Sequence, residues 1–230
     1  MSRLNNSSCG PLLYYVTDRH SLSEVEVGPA QETLLLKIGA AAAAGVDWIQ
    51  IREKDLSARN CGLLTREALR RAAKSQASNA AATRILVNDR LDIVLSERAS
   101  GVHLGENSLP LPEAKRLANA HAQSQDFLIG VSCHSQEAAK SAASEGADYL
   151  FFGPVFATPS KAAFGAPQGL KRLAEVCRAV SIPVLAIGGI TSLNASDCLA
   201  AGASGIAAIR LFQDARDISA LVQSLRKLTR

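Results

Sequence analysis

Short β-rich apolar runs alternate with amphipathic, alanine-rich segments along almost the whole chain, and no other feature restricts the fold as much. The runs are Leu12–Val16, Trp48–Ile51, Arg84–Val87, Gly101–Leu104, Phe127–Val131, Tyr149–Phe152, Val184–Ile187 and Ile206–Ile209. Helical spacing fills the intervals at Ala30–Ala44, Asn60–Ser78, Pro112–Ala120, Gln136–Ser144, Leu170–Ala179, Asn194–Ala201 and Ala215–Leu228. Only a short helix, around Leu91–Ser96, fits after Asn88–Asp89–Arg90. A repeated strand-then-helix order implies parallel strands joined by right-handed crossovers. Gly45, Gly146 and Gly202 each stand between a helix and the next strand, where a left-handed cap turns the chain back. Eight such units in 230 residues predict a single-domain (β/α)8 TIM barrel over residues 12–230, preceded by a flexible tail at 1–11. No G-x-G-x-x-G follows the first run, which counts against a dinucleotide-binding open sheet.

Composition narrows the function. A hydrophobic content of 47% supports a substantial core, and the net charge of +4 is scattered rather than blocked. That balance suits small anionic molecules better than a nucleic-acid track, and no aromatic-basic interleaving offers a base-stacking platform. Five cysteines, Cys9, Cys61, Cys133, Cys177 and Cys198, lack C-x-x-C spacing and read as reduced thiols of a cytoplasmic protein. The polar N-terminal stretch has no apolar core of a signal peptide, and no run approaches membrane-spanning length. Oligomeric state stays open.

In a parallel barrel the active site is built from the C-terminal ends of the strands. Polar residues interrupt the apolar pattern at just those places. The run ending at Phe152 meets Gly153–Pro154 and opens into Thr158–Pro159–Ser160–Lys161, two hydroxyl types and a cation suited to phosphate. The next run ends in Gly188–Gly189, where bare backbone can approach a phosphate closely. Two such ends imply a phosphorylated substrate. Gln50, Arg52 and Lys54 alternate onto one face, and a guanidinium fork with an ammonium suits a diphosphate. The alternative there is a solvated strand end. Asn88–Asp89 reads either as a ligand for Mg²⁺ bridging that diphosphate or as a turn capping the helix at Leu91. His134, beside Ser132, is either an acid-base group or a loop-orienting residue. His103, inside Val102–His103–Leu104, reads as a satisfied core histidine, and Cys133 as a small filler.

Several ordered motifs carry a family resemblance across about Leu13 to Phe212. They are Tyr15–Val16–Thr17–Asp18, Gln50–Ile51–Arg52–Glu53–Lys54–Asp55, Val87–Asn88–Asp89–Arg90, Gly101–Val102–His103–Leu104–Gly105, Gly130–Val131–Ser132, Gly153–Pro154–Val155–Phe156 and Ala186–Ile187–Gly188–Gly189–Ile190. In these the chain resembles the thiamine phosphate synthase family and its close relative, the TenI-type thiazole tautomerases. The resemblance implies joining of a pyrimidine-methyl diphosphate to a thiazole phosphate, with release of pyrophosphate, through a pyrimidine-methyl cation. It places Gln50, Arg52, Lys54, Asn88, Ser132 and Lys161 around the pyrimidine diphosphate, with Arg52, Lys54, Ser132 and Lys161 serving catalysis. It places Thr158, Ser160, Gly188, Gly189, Ile209 and Arg210 around the thiazole phosphate, and Asp89 on Mg²⁺.

The chain departs from the family pattern twice. Ser108 stands where a second metal-ligating Asp is usual, which leaves Glu106 as the nearby carboxylate. Arg210 replaces a small Ser. A tautomerase would instead use His134 as proton shuttle and need no metal. A non-catalytic barrel that binds a thiamine precursor is the third reading.

Overall fold

A computed structural model of the protein describes residues 10–22, 30–75, 82–121, 126–158 and 166–228. Eight parallel strands close into one barrel: β1 (Leu12–Val16), β2 (Trp48–Ile51), β3 (Arg84–Asn88), β4 (Gly101–Leu104), β5 (Leu128–Cys133), β6 (Tyr149–Phe152), β7 (Val184–Ile187) and β8 (Gly205–Ala208). Each pairs with the next in sequence, and β8 returns to β1 with Leu12–Tyr15 opposite Gly205–Ala208. Helices α1 (Ala30–Ala43), α2 (Ala58–Ser75), α3 (Leu91–Glu97), α4 (Leu111–His121), α5 (Gln136–Glu145), α6 (Gly169–Ala179), α7 (Ala195–Ala200), α8 (Arg210–Gln213) and α9 (Ile218–Arg226) form the outer layer. No helix among the described residues is long and apolar enough to cross a membrane. Of the expected tail, residues 1–9 lie outside the described residues.

Strand periodicity divides the core in two. One set of buried strand residues, including Leu13, Tyr15, Ile49, Ile51, Leu150 and Phe152, packs outward against helices. The alternate set, Tyr14, Val16, Trp48, Leu86, Leu128, Tyr149, Phe151, Leu185 and Ala207, fills the barrel interior. Successive residues of a strand point to opposite faces, so extending the inward set toward the C-terminal ends brings Gln50, Asn88, His103 and Ser132 to one mouth.

The elements differ from the sequence reading most at β5 and after β8, and by one or two residues at several other ends. β5 runs on to Cys133 because Ser132 and Cys133 pair with Phe151 and Phe152 of β6. The helix expected at Ala215–Leu228 is α9, which starts where Asp217 accepts from the Ala220 amide at 2.9 Å, and the short α8 that precedes it was not expected. The expected glycine cap holds at Gly146, whose φ of 90° is left-handed and whose amide donates to Ala142 and Ala143 carbonyls. At the opposite end from the mouth, Arg226 of α9 donates to the Pro11 and Gly45 carbonyls, each at 2.6 Å, and meets Asp47 at 2.9 Å. That ties the last helix to the first strand.

Candidate active site

Gln50 is buried to 1% exposure at the mouth, and its Nε2 donates to Asn88 Oδ1 at 2.8 Å. Its Oε1 is buried and has no hydrogen-bond partner among the described residues. Native structures rarely leave such an acceptor empty, and where they do a ligand donor is one explanation. Asn88 passes its own amide to Asp89 Oδ2 at 2.6 Å. Asp89 has a left-handed backbone, φ 60°, which is strained for a residue with a side chain and typical of functional turns. Its carboxylate accepts from the Ser108 hydroxyl and, at 3.4 Å, from the Gly105 amide. It therefore bridges two mouth loops. The capping alternative does not hold: Arg90 occupies the cap position of α3, and no side chain caps that helix.

Below the mouth, four side chains form a polar chain, buried at Tyr14, Tyr149 and His103 and half-buried at Ser132. Tyr14 and Tyr149 hydroxyls lie 2.9 Å apart, Tyr149 is 3.0 Å from His103 Nδ1, and His103 Nε2 is 2.9 Å from Ser132 Oγ. His103 also stacks on Phe151, with ring centroids 4.1 Å apart. It is the satisfied core histidine its sequence context suggested. Its contact with Ser132 was not legible there. Burial pushes its pKa from 6.5 down to about 3, and the charge of Arg52 acts in the same direction. Between those values the unfolded chain binds a proton that the folded one does not, so His103 makes stability fall as pH drops below 6.5. The slope approaches at most about 1.4 kcal/mol per pH unit. His103→Gln should remove this contribution, and denaturation midpoints at about pH 7 and about pH 5 for both proteins measure it.

Strand β2 ends at Ile51, so Arg52 continues the inward alternation but Lys54 lies in an exposed turn rather than on the strand. The cause is Glu53. Its buried carboxylate accepts from Thr17 Oγ1 at 2.7 Å and from the guanidinium of Arg19 at 3.0 Å, drawing the chain sideways onto the β1 loop. Thr17 Oγ1 in turn accepts from the Arg52 amide at 3.0 Å. Buried Gln213 of α8 fastens the same loop from the other side, accepting from Asp18 N and donating to Asp18 O, both at 2.9 Å. Neither Glu53 nor Gln213 stood out in the sequence as a brace of the site.

Gly188 and Gly189 both have positive φ, 92° and 68°. A Cβ at Gly188 would lie 2.5 Å from Pro154 Cβ, and one at Gly189 would lie 2.6 Å from the Ala157 carbonyl oxygen. The β7 end is therefore bare backbone pressed against the β6 loop, to which it is also bonded through Phe156 N→Gly188 O at 3.0 Å. Thr158 is half-buried beside it. Ile209 is half-buried and Arg210 exposed at the start of α8. Ser160 and Lys161 lie outside the described residues.

His134 donates through Nδ1 to the Gly153 carbonyl, and its Nε2 is 3.8 Å from Glu106 Oε1. It thus joins the β5 and β6 loops. Cys133 is buried, which pushes its thiol up to about 12 and keeps it unreactive. Among the described residues, Cys61, Cys133, Cys177 and Cys198 are free thiols.

The donor set fits a hard divalent cation in one respect. Mg²⁺ takes one or two carboxylates and completes its shell with water and phosphate oxygens, and Asp89 presents such a carboxylate at the mouth. Glu106 Oε1 lies 3.8 Å from His134 Nε2. Among the described residues no three His, Cys, Asp or Glu side chains cluster as a metal site. Ser108, by contrast, touches Asp89 directly. Ser108→Asp should therefore raise Mg²⁺ affinity, by about tenfold for one added carboxylate ligand. Calorimetric titration of Mg²⁺ into both proteins checks this, and Glu106→Gln should leave affinity unchanged.

A closed parallel barrel that gathers amide, guanidinium, hydroxyl and carboxylate groups at one mouth, beside bare glycine backbone, defines an enzyme scaffold for small anionic substrates. The thiamine monophosphate synthase family model matches residues 13–212, and the chain belongs to this family. It is 45% identical over 186 residues to the thiamine-phosphate synthase of Methanoculleus marisnigri, covering 81% of this chain and 83% of that protein. It is 39% identical over 211 residues to the Moorella thermoacetica thiamine-phosphate synthase, covering 92% and 95%. The solved structure of thiamine phosphate pyrophosphorylase from Pyrococcus furiosus superposes with a TM-score of 0.78 at 31% identity, covering 97% of each chain.

Proposed function

We propose that the protein is a soluble cytoplasmic synthase that couples 4-amino-2-methyl-5-hydroxymethylpyrimidine diphosphate to thiazole phosphate, giving thiamine phosphate and pyrophosphate. The observation that carries this reading is the buried, unpartnered Oε1 of Gln50. An aminopyrimidine brings the N–H donor that such an acceptor lacks, and Asn88 holds the amide in the orientation that offers it. The diphosphate would then extend toward Arg52, whose charge acts at the mouth, with Lys54, Asn88, Ser132 and Lys161 as further donors. The bond from the methylene carbon to the diphosphate oxygen breaks, pyrophosphate departs with the electron pair, and the thiazole nitrogen closes the new C–N bond.

The protein's part is alignment and charge compensation, the terms that dominate when little proton chemistry is required. Mg²⁺, held by Asp89, would when bound neutralise charge on the diphosphate oxygens. Thr158, Ser160, Gly188, Gly189, Ile209 and Arg210 would receive the thiazole phosphate. The bare backbone at the glycine pair supports that side of the reading.

The test is pyrophosphate release measured with each substrate alone and with both, in Mg²⁺ and in EDTA. Release that needs both substrates and the metal is the expected result. Thiazole isomerisation that persists in EDTA, collapses on His134→Asn and yields no pyrophosphate would replace the synthase with a tautomerase. Binding of both compounds without either reaction would leave a precursor-binding barrel.

A further inference from the structure

The direction of the buried hydrogen bonds below the mouth follows from counting donors. Tyr14 is fully buried, and its hydroxyl has one neighbour among the described residues, the Tyr149 hydroxyl at 2.9 Å. If Tyr149 donated to Tyr14, the Tyr14 proton would be buried without an acceptor, which folded proteins avoid. Tyr14 therefore donates to Tyr149. Tyr149 has one proton of its own, and its other neighbour is His103 Nδ1 at 3.0 Å. That ring nitrogen accepts, so in the neutral imidazole the proton sits on Nε2. Nε2–H then donates to Ser132 Oγ at 2.9 Å. Burial at 2% exposure and the nearby charge of Arg52 keep the ring neutral.

Ser132 is the last inward-facing residue of β5 and is half-buried where the barrel opens. With one lone pair taken by His103, its own proton cannot point back into the barrel. We infer that His103 is a positioning residue, fixed as the Nε2–H tautomer by the Tyr14–Tyr149 pair, which turns the Ser132 hydroxyl outward as an obligate donor to the diphosphate oxygen that leaves. The opposite tautomer would make Ser132 donate inward and present only lone pairs to an anion, a repulsive arrangement. The barrel interior thus sets the polarity of a group at the mouth. This inference rests on the synthase reading for its substrate, but the tautomer does not.

Two measurements test it. The protein labelled with ¹⁵N-histidine, with His103 assigned by loss of its signals in His103→Gln, should show a protonated Nε2 and a bare Nδ1. A proton on Nδ1 overturns the inference whatever the activity. Second, His103→Leu should lower turnover about 10- to 100-fold, as expected when a catalytic donor loses its alignment. His103→Gln, which keeps an N–H at the end of the side chain, should recover most of it. His103→Leu combined with Ser132→Ala should be no slower than Ser132→Ala alone. Independent, multiplying losses would overturn the inference. Should His103→Leu fail to fold, the ring signals of the unmodified protein decide. A wild-type protein without pyrophosphate release would remove the synthase reading and leave the tautomer result standing.

Discussion

Arg52→Ala should cut turnover at saturating substrates by about 10²- to 10³-fold, the cost of removing one preorganised group that meets developing charge. Arg52 sits one residue beyond β2 on the inward face, half-buried, close enough to His103 for its charge to act on the ring. Its backbone is held by Thr17 at 3.0 Å, and Thr17 is held by buried Glu53. The guanidinium is thus delivered from a braced loop. Negative charge on the pyrophosphate grows as the C–O bond breaks, so a fixed cation there stabilises the transition state more than the bound substrate. The loss should appear in kcat, with affinity for thiazole phosphate nearly unchanged. Steady-state kinetics and direct thiazole phosphate binding separate the two. Full turnover at saturation, with weakened thiazole binding, would mean that Arg52 serves the other pocket.

Gly130→Ala should destabilise the barrel by about 1–3 kcal/mol or more, the range for overpacking a filled interior. Gly130 faces inward on β5, and a Cβ there would lie 2.0 Å from Tyr149 Cζ and 2.3 Å from its hydroxyl. The ring cannot retreat freely. It packs on Trp48 with centroids 4.9 Å apart and is bonded at its hydroxyl to both Tyr14 and His103. Relief must come from moving that ring, so the substitution should also disturb Ser132 and slow the reaction. Urea denaturation measures the first effect and turnover the second. Because the clash is with one side chain, Gly130→Ala combined with Tyr149→Val should be less destabilised than the sum of the single changes. Simple additivity would place the strain elsewhere.

How much was legible follows from the range over which each signal acts. The alternation of apolar runs and helical segments is local, and it determined the parallel barrel, the strand positions and the end at which polar residues collect. Gln50, Arg52, Asn88, Asp89 and Ser132 were readable because they interrupt an apolar pattern at strand ends. Lys54 was misplaced as a strand residue because its position depends on Glu53 meeting Thr17 and Arg19, 36 and 34 residues away. The choice left open at Asn88–Asp89, metal ligand or helix cap, was illegible for the same reason, since Ser108 meets the carboxylate from 19 residues on. Tyr14, Tyr149 and His103 looked like ordinary core residues one by one. Only closure of the barrel sets Tyr14 beside Tyr149, 135 residues apart, and Tyr149 beside His103. Hydrophobic periodicity specifies which face a residue takes. The partner of a hydrogen bond and its direction depend on distances that exist only once the sheet has closed.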